Sequence, residues 1–99
     1  MVEFSDKELL EMIRLNESSN GFNFLIRKYQ KKVYNHVRRM VIDHDDANDI
    51  VQDIFIKVWK GIAKFKEDSE LYTWIYRITV NETLTFLKKK KRKFIILKI

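Results

Sequence analysis

The run Asp49-Ile50-Val51-Gln52-Asp53-Ile54-Phe55-Ile56-Lys57-Val58-Trp59-Lys60 decides the fold class. Its apolar residues recur as the pairs Ile50/Val51, Ile54/Phe55 and Val58/Trp59 and close on Ile62. Steps of three and four place them on one helix face, which must be buried. After a polar joint from Lys64 to Ser69, a looser stripe follows at Leu71, Trp74/Ile75, Ile78 and Phe86. Two amphipathic helices joined by a short loop would pack these aromatic faces together, with Trp59 and Trp74 both in the core.

The rest of the composition points the same way. The chain has 99 residues, no proline and two glycines, Gly21 and Gly61. That length fits one domain, which buries roughly two thirds of its unfolded surface. Scarcity of turn formers disfavours sheets with tight hairpins and permits long helices. The expected fold is all-α, a compact bundle of four helices at approximately 6–15, 21–42, 47–62 and 69–92. Absence of cysteine excludes disulfide scaffolds, thiolate zinc sites and cysteine nucleophiles, and agrees with a cytoplasmic location. Glu3, Asp6, Glu8 and Glu11 are foreign to a signal peptide, and no apolar run approaches the ~20 residues of a membrane span.

Upstream of the central run, Ser5-Asp6-Lys7-Glu8 has the form of a capping box opening the first helix. The polar segment Asn16 to Gly21 reads as a turn. Helix two then carries Phe22, Leu25, Ile26, Tyr29, Val33, Val37, Met40 and Val41 at helical spacing and is expected to be the longest. Its outer face holds Arg27, Lys28, Lys31, Lys32, Arg38 and Arg39, a pattern that most often marks a solvated face. His36, beside the apolar stripe, reads as a packed residue rather than a ligand. Asp43-His44-Asp45-Asp46 breaks the pattern, with Asp46 and Asp49 spaced as a second helix start. Adjacent acids in a loop lack the facing geometry that holds a cation, so no metal or other cofactor is expected.

On helix three the outward residues are Asp49, Gln52, Asp53, Ile56 and Lys60. Ile56 stands out of register with the buried pairs, either as a partner contact or as a scattered surface aliphatic. In the joint, Asp68 or Ser69 suits a helix cap, while Phe65 either closes over the core or lines a pocket for an unstacked base. Tyr72, Tyr76, Arg77, Asn81 and Thr85 then stand off the apolar stripe of helix four, leading into Lys88, Lys89, Lys90, Lys91, Arg92 and Lys93. Aromatic, amide and guanidinium groups before a basic run suit stacking, base-edge hydrogen bonds and phosphate neutralisation. The net charge of +6 lies wholly in this part: residues 1–68 hold 12 Lys and Arg against 12 Asp and Glu, and residues 69–99 hold 8 against 2. Such asymmetry is the footprint of a polyanion-binding surface.

The series from Asp49 to Trp59, then Phe65, Asp68-Ser69, Tyr72 to Ile78 and Asn81, resembles region 2 of extracytoplasmic-function sigma factors of bacterial RNA polymerase. The likeness is densest from Ala47 to Lys93, and Phe22, Tyr29 and Val33 resemble the family's preceding helix. It implies a sigma factor domain that docks on the polymerase β′ clamp helices through Asp49, Gln52, Asp53 and Ile56. It also implies capture of the non-template strand of the promoter −10 element. Phe65, Lys66, Tyr76, Arg77 and Asn81 fall on the family's base-reading positions, and Lys88, Lys89, Lys90, Lys91 and Arg92 would hold phosphates. An anti-sigma factor covering the same surfaces is a further partner implied by the resemblance. The family's second helical domain, region 4, has no counterpart here, so the expectation is a single region-2-like domain. Residues 1–20 would form its N-terminal helix and turn, 21–93 its binding core, and 94–99 the start of a linker.

No nucleophile–base pair or phosphate-cradling glycine loop supports an enzyme. Two other classes of function remain readable in the residues. One is a helical adaptor that binds only protein, its basic tail having no sequence-specific DNA role. The other is a membrane-surface segment formed by the cations and the apolar end Phe94 to Ile99.

Overall fold

Ser5 and Glu8 close the capping box: the Ser5 N–H donates to Glu8 Oε1 at 3.0 Å, and the Glu8 N–H donates to Ser5 Oγ at 3.1 Å. They start α1, Asp6–Leu15, in the computed structural model, which describes residues 3–15 and 20–98. Most of the turn expected from Asn16 to Gly21 lies outside the described residues; Asn20 and Gly21 already belong to α2, Asn20–Met40. A Cβ on Gly21 would stand 2.9 Å from Met12 Cβ and 3.1 Å from Ile13 Cγ1, so only glycine lets α2 start this close to α1. The order is completed by α3, His44–Ile62, and α4, Leu71–Lys98, with no strand among the described residues.

Helix α2 is the hub, packing against α1, α3 and α4, while α3 and α4 also pack on each other. Its stripe Leu25, Tyr29, Val33 and Val37 is buried, as are Ile50, Ile54, Phe55, Val58 and Ile62 of α3. Contrary to the sequence expectation, Trp59 is 50% exposed. It falls at the edge of the apolar arc, where neither neighbouring helix reaches over it.

Three boundaries also move. Helix α3 starts at His44 rather than near Ala47, because Asp43 is the cap: its backbone is extended (φ −73°, ψ 127°) and its carboxylate accepts the Asp46 N–H at 2.9 Å. The Ala47 N–H already bonds to the Asp43 carbonyl, so the first turn is closed before Asp46 can cap anything. Helix α4 starts at Leu71, after Glu70, whose carbonyl receives the Trp74 N–H; neither Asp68 nor Ser69 takes the cap position. With 28 residues α4, not α2, is the longest helix, running through the basic segment to Lys98 where a linker was expected. Lysine and arginine are good helix formers, and neither glycine nor proline interrupts the run. Ile99 lies outside the described residues.

The buried face of α4 is Leu71, Ile75, Thr79 and Thr83, an unbroken step of four. Two of these read as polar, yet Thr79 and Thr83 are at most 2% exposed. Their hydroxyls donate back to the carbonyls of Ile75 (2.9 Å) and Thr79 (2.7 Å), which satisfies them inside the helix. Ile78 and Phe86, expected in the stripe, are only partly buried. An ion pair between Lys57 and the largely buried carboxylate of Glu82 ties α3 to α4.

Candidate nucleic-acid interface

Arg77, Asn81, Thr85, Lys88 and Arg92 follow one another on α4 at steps of three and four, and all five are exposed. They form one outward stripe of about 22 Å at 1.5 Å per residue. Within it the Thr85 hydroxyl bonds to the Asn81 carbonyl at 2.8 Å, leaving the Asn81 side-chain amide on the surface. Tyr76 adjoins the stripe at 41% exposure. Guanidinium, amide and ammonium groups are thus presented in order along one rigid helix.

The basic run is sorted by its helical conformation. All six cations from Lys88 to Lys93 are exposed, and Lys90 alone of them has an acidic partner among the described residues, meeting Asp46 Oδ2 of α3 at 3.0 Å. Each acid of the 43–46 segment that looked like a ligand has other work where the structure gives it a partner: Asp43 caps α3 and Asp46 holds Lys90, while His44 bonds to the Tyr34 hydroxyl. No group of three His, Cys, Asp or Glu among the described residues is arranged to hold a metal ion.

In the joint before α4, Phe65 takes one of its two expected places. Phe65 is 7% exposed and lies against Trp74, with ring centroids 5.1 Å apart. Its ring closes over the core, because the tight turn brings it back under α3: the Phe65 N–H donates to the Ile62 carbonyl. The loop is tied to α1 through Arg14, whose guanidinium donates to the Phe65 carbonyl at 3.0 Å. Lys66 next to it is exposed.

On α3, Asp49, Gln52, Asp53 and Ile56 are all exposed, Ile56 by 51%. Gln52 and Ile56 also line a groove between α2 and α3, a cavity of about 480 Å³ whose other walls are Phe22, Ile26, Gln30, Val51, Phe55 and Trp59. The Trp59 and Phe22 rings meet edge to face at 4.8 Å. Sequence reading missed this groove, because the signal that Trp59 and Phe22 share a surface is 37 residues apart in the chain.

Between α2 and α4 runs a ladder of rings. The Tyr29 hydroxyl bonds to both oxygens of Asp6, at 2.6 and 2.7 Å, and the Tyr29 ring stacks on Tyr72 with centroids 5.3 Å apart and planes 15° apart. Tyr72 neighbours Tyr76 at 6.4 Å, and Tyr76 meets His36 edge to face at 4.8 Å. Burial, then the Asp6 carboxylate, pushes the Tyr29 hydroxyl well above the usual tyrosine range. Tyr72 is raised more by burial than by Tyr76, with Arg39 acting in the opposite sense.

The Sigma-70 region 2 family model matches residues 25–93. The chain is 32% identical over 93 residues to the RNA polymerase sigma-H factor of Pseudomonas aeruginosa, covering 94% of this chain and 48% of that protein. It is 36% identical over 91 residues to the ECF RNA polymerase sigma-E factor of Escherichia coli K12, covering 92% and 47%. The chain therefore spans about half the length of the curated relatives it matches. Among solved structures, an engineered region 2 of sigmaE in complex with GTAAAA superposes with a TM-score of 0.82 at 34% identity, covering 94% of this chain and 97% of that one. CnrH, solved in complex with the cytosolic domain of CnrY, shares the fold with a TM-score of 0.68 at 23% identity, over 78% of this chain and 50% of that one.

Proposed function

The chain belongs to the Sigma-70 region 2 family, and from that premise we propose that it docks on core RNA polymerase and reads single-stranded promoter −10 DNA. The observation that carries the reading is the exposed α4 stripe from Arg77 to Arg92, preceded by Tyr76. Arginine and asparagine can pair with base edges, Tyr76 can stack on an unpaired base, and the lysines neutralise backbone charge. The likeness to a sigmaE region 2 that binds GTAAAA supports the choice of a single strand. Strand opening is unfavourable alone, so a surface that binds only unstacked bases shifts the duplex toward the open form. With the Phe65 ring in the core, Lys66 and the loop backbone take over its share of the contact. Lys90, exposed but paired with Asp46, has less charge to offer a phosphate than the other cations.

Polymerase docking falls to Asp49, Gln52, Asp53 and Ile56, acidic, amide and aliphatic groups on one face of α3. The neighbouring groove makes Trp59 and Phe22 part of that face, and an aromatic at the centre of an apolar patch is where binding energy concentrates. The partner is the β′ clamp of the polymerase, the DNA is the non-template strand, and an anti-sigma factor would compete for the same surfaces. Such a protein works in the cytoplasm and leaves nucleotide chemistry to the polymerase. Among the described residues no helix is long and apolar enough to cross a membrane.

The test is a pull-down of core RNA polymerase with the wild-type chain and with Gln52→Ala/Asp53→Ala, followed by binding of GTAAAA oligonucleotides and single-base variants. Retention abolished by the double substitution, with a base preference abolished by Asn81→Ala, is the expected result. A folded wild-type chain that neither retains polymerase nor distinguishes the oligonucleotides would overturn the reading in favour of a protein-only adaptor.

A further inference from the structure

The six cations on the outer face of α2 are not equivalent. Lys28 is consumed by the Phe4 carbonyl at 3.1 Å and by Asp6 at 2.8 Å. Lys32, by contrast, places its ammonium 4.9 Å from the centre of the Tyr72 ring, and Arg39, also exposed, follows seven residues later, about two turns along the same face of α2. Both belong to α2, and the tyrosine belongs to α4.

That tyrosine is braced. Tyr29 stacks beneath Tyr72 and is itself anchored by Asp6, while His36 holds the edge of Tyr76. A cation over a ring keeps its remaining N–H donors for solvent or an anion. Rings flanked by cations on a rigid surface are what a single strand needs: stacking for the bases and charge for the backbone. The acids near this seam, Asp6 and Glu70, act on Tyr29, and Asp6 is already engaged by Tyr29 and Lys28. Positive charge is therefore left around Tyr72 and Tyr76.

We propose that Lys32 and Arg39 form a second phosphate-holding row, so that the single strand lies along the seam between α2 and α4 rather than on α4 alone. Seven residues, or about 10 Å of helix, separate the two cations, which places them as contacts to separate phosphates. This inference rests on the strand-binding reading above and adds α2 to it.

The test uses the full chain, a labelled GTAAAA oligonucleotide and an oligo-thymidine of equal length, with binding followed across a potassium chloride series. Each phosphate neutralised on a single strand contributes about 0.7 to the slope of log affinity against log salt. Lys32→Ala/Arg39→Ala should lower that slope by about 1.4 and weaken both oligonucleotides by the same factor, with their ratio unchanged. Lys31→Ala, at an exposed α2 cation one position from Lys32, should leave the slope unchanged. Lys32→Gln/Arg39→Gln keeps much of the length of both stems, and should repeat the slope loss even if the alanine pair melts early. An unchanged slope for both double variants, while Lys88→Ala/Arg92→Ala lowers it, would overturn the α2 row and leave the proposed function standing. So would an equal loss with Lys31→Ala, which would mean bulk charge. No binding of either oligonucleotide by the folded wild-type chain would overturn both.

Discussion

The two tryptophans each belong to an apolar pair in the sequence, Val58/Trp59 and Trp74/Ile75, and have different fates in the fold. Trp74 is partly buried, its ring centroid 5.1 Å from that of Phe65, and its Cζ2 lies 2.9 Å from where a Cβ on Gly61 would stand. Trp59 touches Phe22 by an edge and leaves half of itself in solvent over the α2–α3 groove. The apolar arc of α3 is wider than the bundle can cover. Its surplus, Trp59 with Ile56, adjoins the acidic and amide residues proposed to meet the polymerase. An apolar stripe thus reports how much of a helix avoids water, and the part left uncovered by its own chain is the part available to another.

That contrast can be broken most directly at Trp74. Trp74→Ala should cost about 3 kcal/mol, the low end of the range for truncating a packed aromatic. At about 4–8 °C per kcal/mol for a domain of this size, thermal denaturation should then fall by more than ~10 °C. A loss below about 1 kcal/mol, against the usual range for such truncations, would place Trp74 outside the core. Phe65→Ala should cost about 2 kcal/mol, somewhat less because a loop can partly collapse into the space. It should leave discrimination between single-base oligonucleotide variants unchanged; altered base preference at unchanged stability would return Phe65 to the DNA-binding set.

Trp59→Ala should cost about 1–2 kcal/mol, one edge-to-face contact plus the covered half of the ring, yet reduce polymerase retention as strongly as Gln52→Ala/Asp53→Ala. Iodide quenching sharpens the difference without any partner: Trp74→Phe, which keeps Trp59, should be quenched readily, and Trp59→Phe should resist. Equal quenching of the two would erase the distinction.

The smallest effect is expected with acid. Glu8 is held below the usual carboxylate range chiefly by the Ser5 backbone N–H, and Asp43 by the Asp46 backbone N–H. A carboxyl with a depressed folded value stabilises fully above its ordinary value near pH 4 and loses that contribution as pH falls further. Amide exchange at the first turns of α1 and α3 should therefore speed up below about pH 4, while the Trp74 environment persists. Simultaneous loss of the Trp74 signal would show that the caps and the core unfold together.

Most of the α4 surface was legible before folding, because Arg77, Asn81, Thr85, Lys88 and Arg92 lie within one helix whose period orders them. The same local arithmetic exposes Asp49, Gln52, Asp53 and Ile56, and the Ser5–Glu8 box needs only four consecutive residues. The groove beside Ile56 was not legible, since Phe22 and Trp59 come from different helices. Nor was the burial of Thr79 and Thr83, whose polar side chains hide their place in the step of four from Leu71. Helical periodicity, capping chemistry and charge asymmetry are properties of neighbouring residues, and the sequence by itself determined them: four helices and a basic last third. Which apolar residues are covered, that Phe65 faces inward, that Asp43 opens α3 and that Lys32 reaches Tyr72 were decided only by the tertiary structure. Coverage depends on how helices distant in the chain cross, and no local period records that.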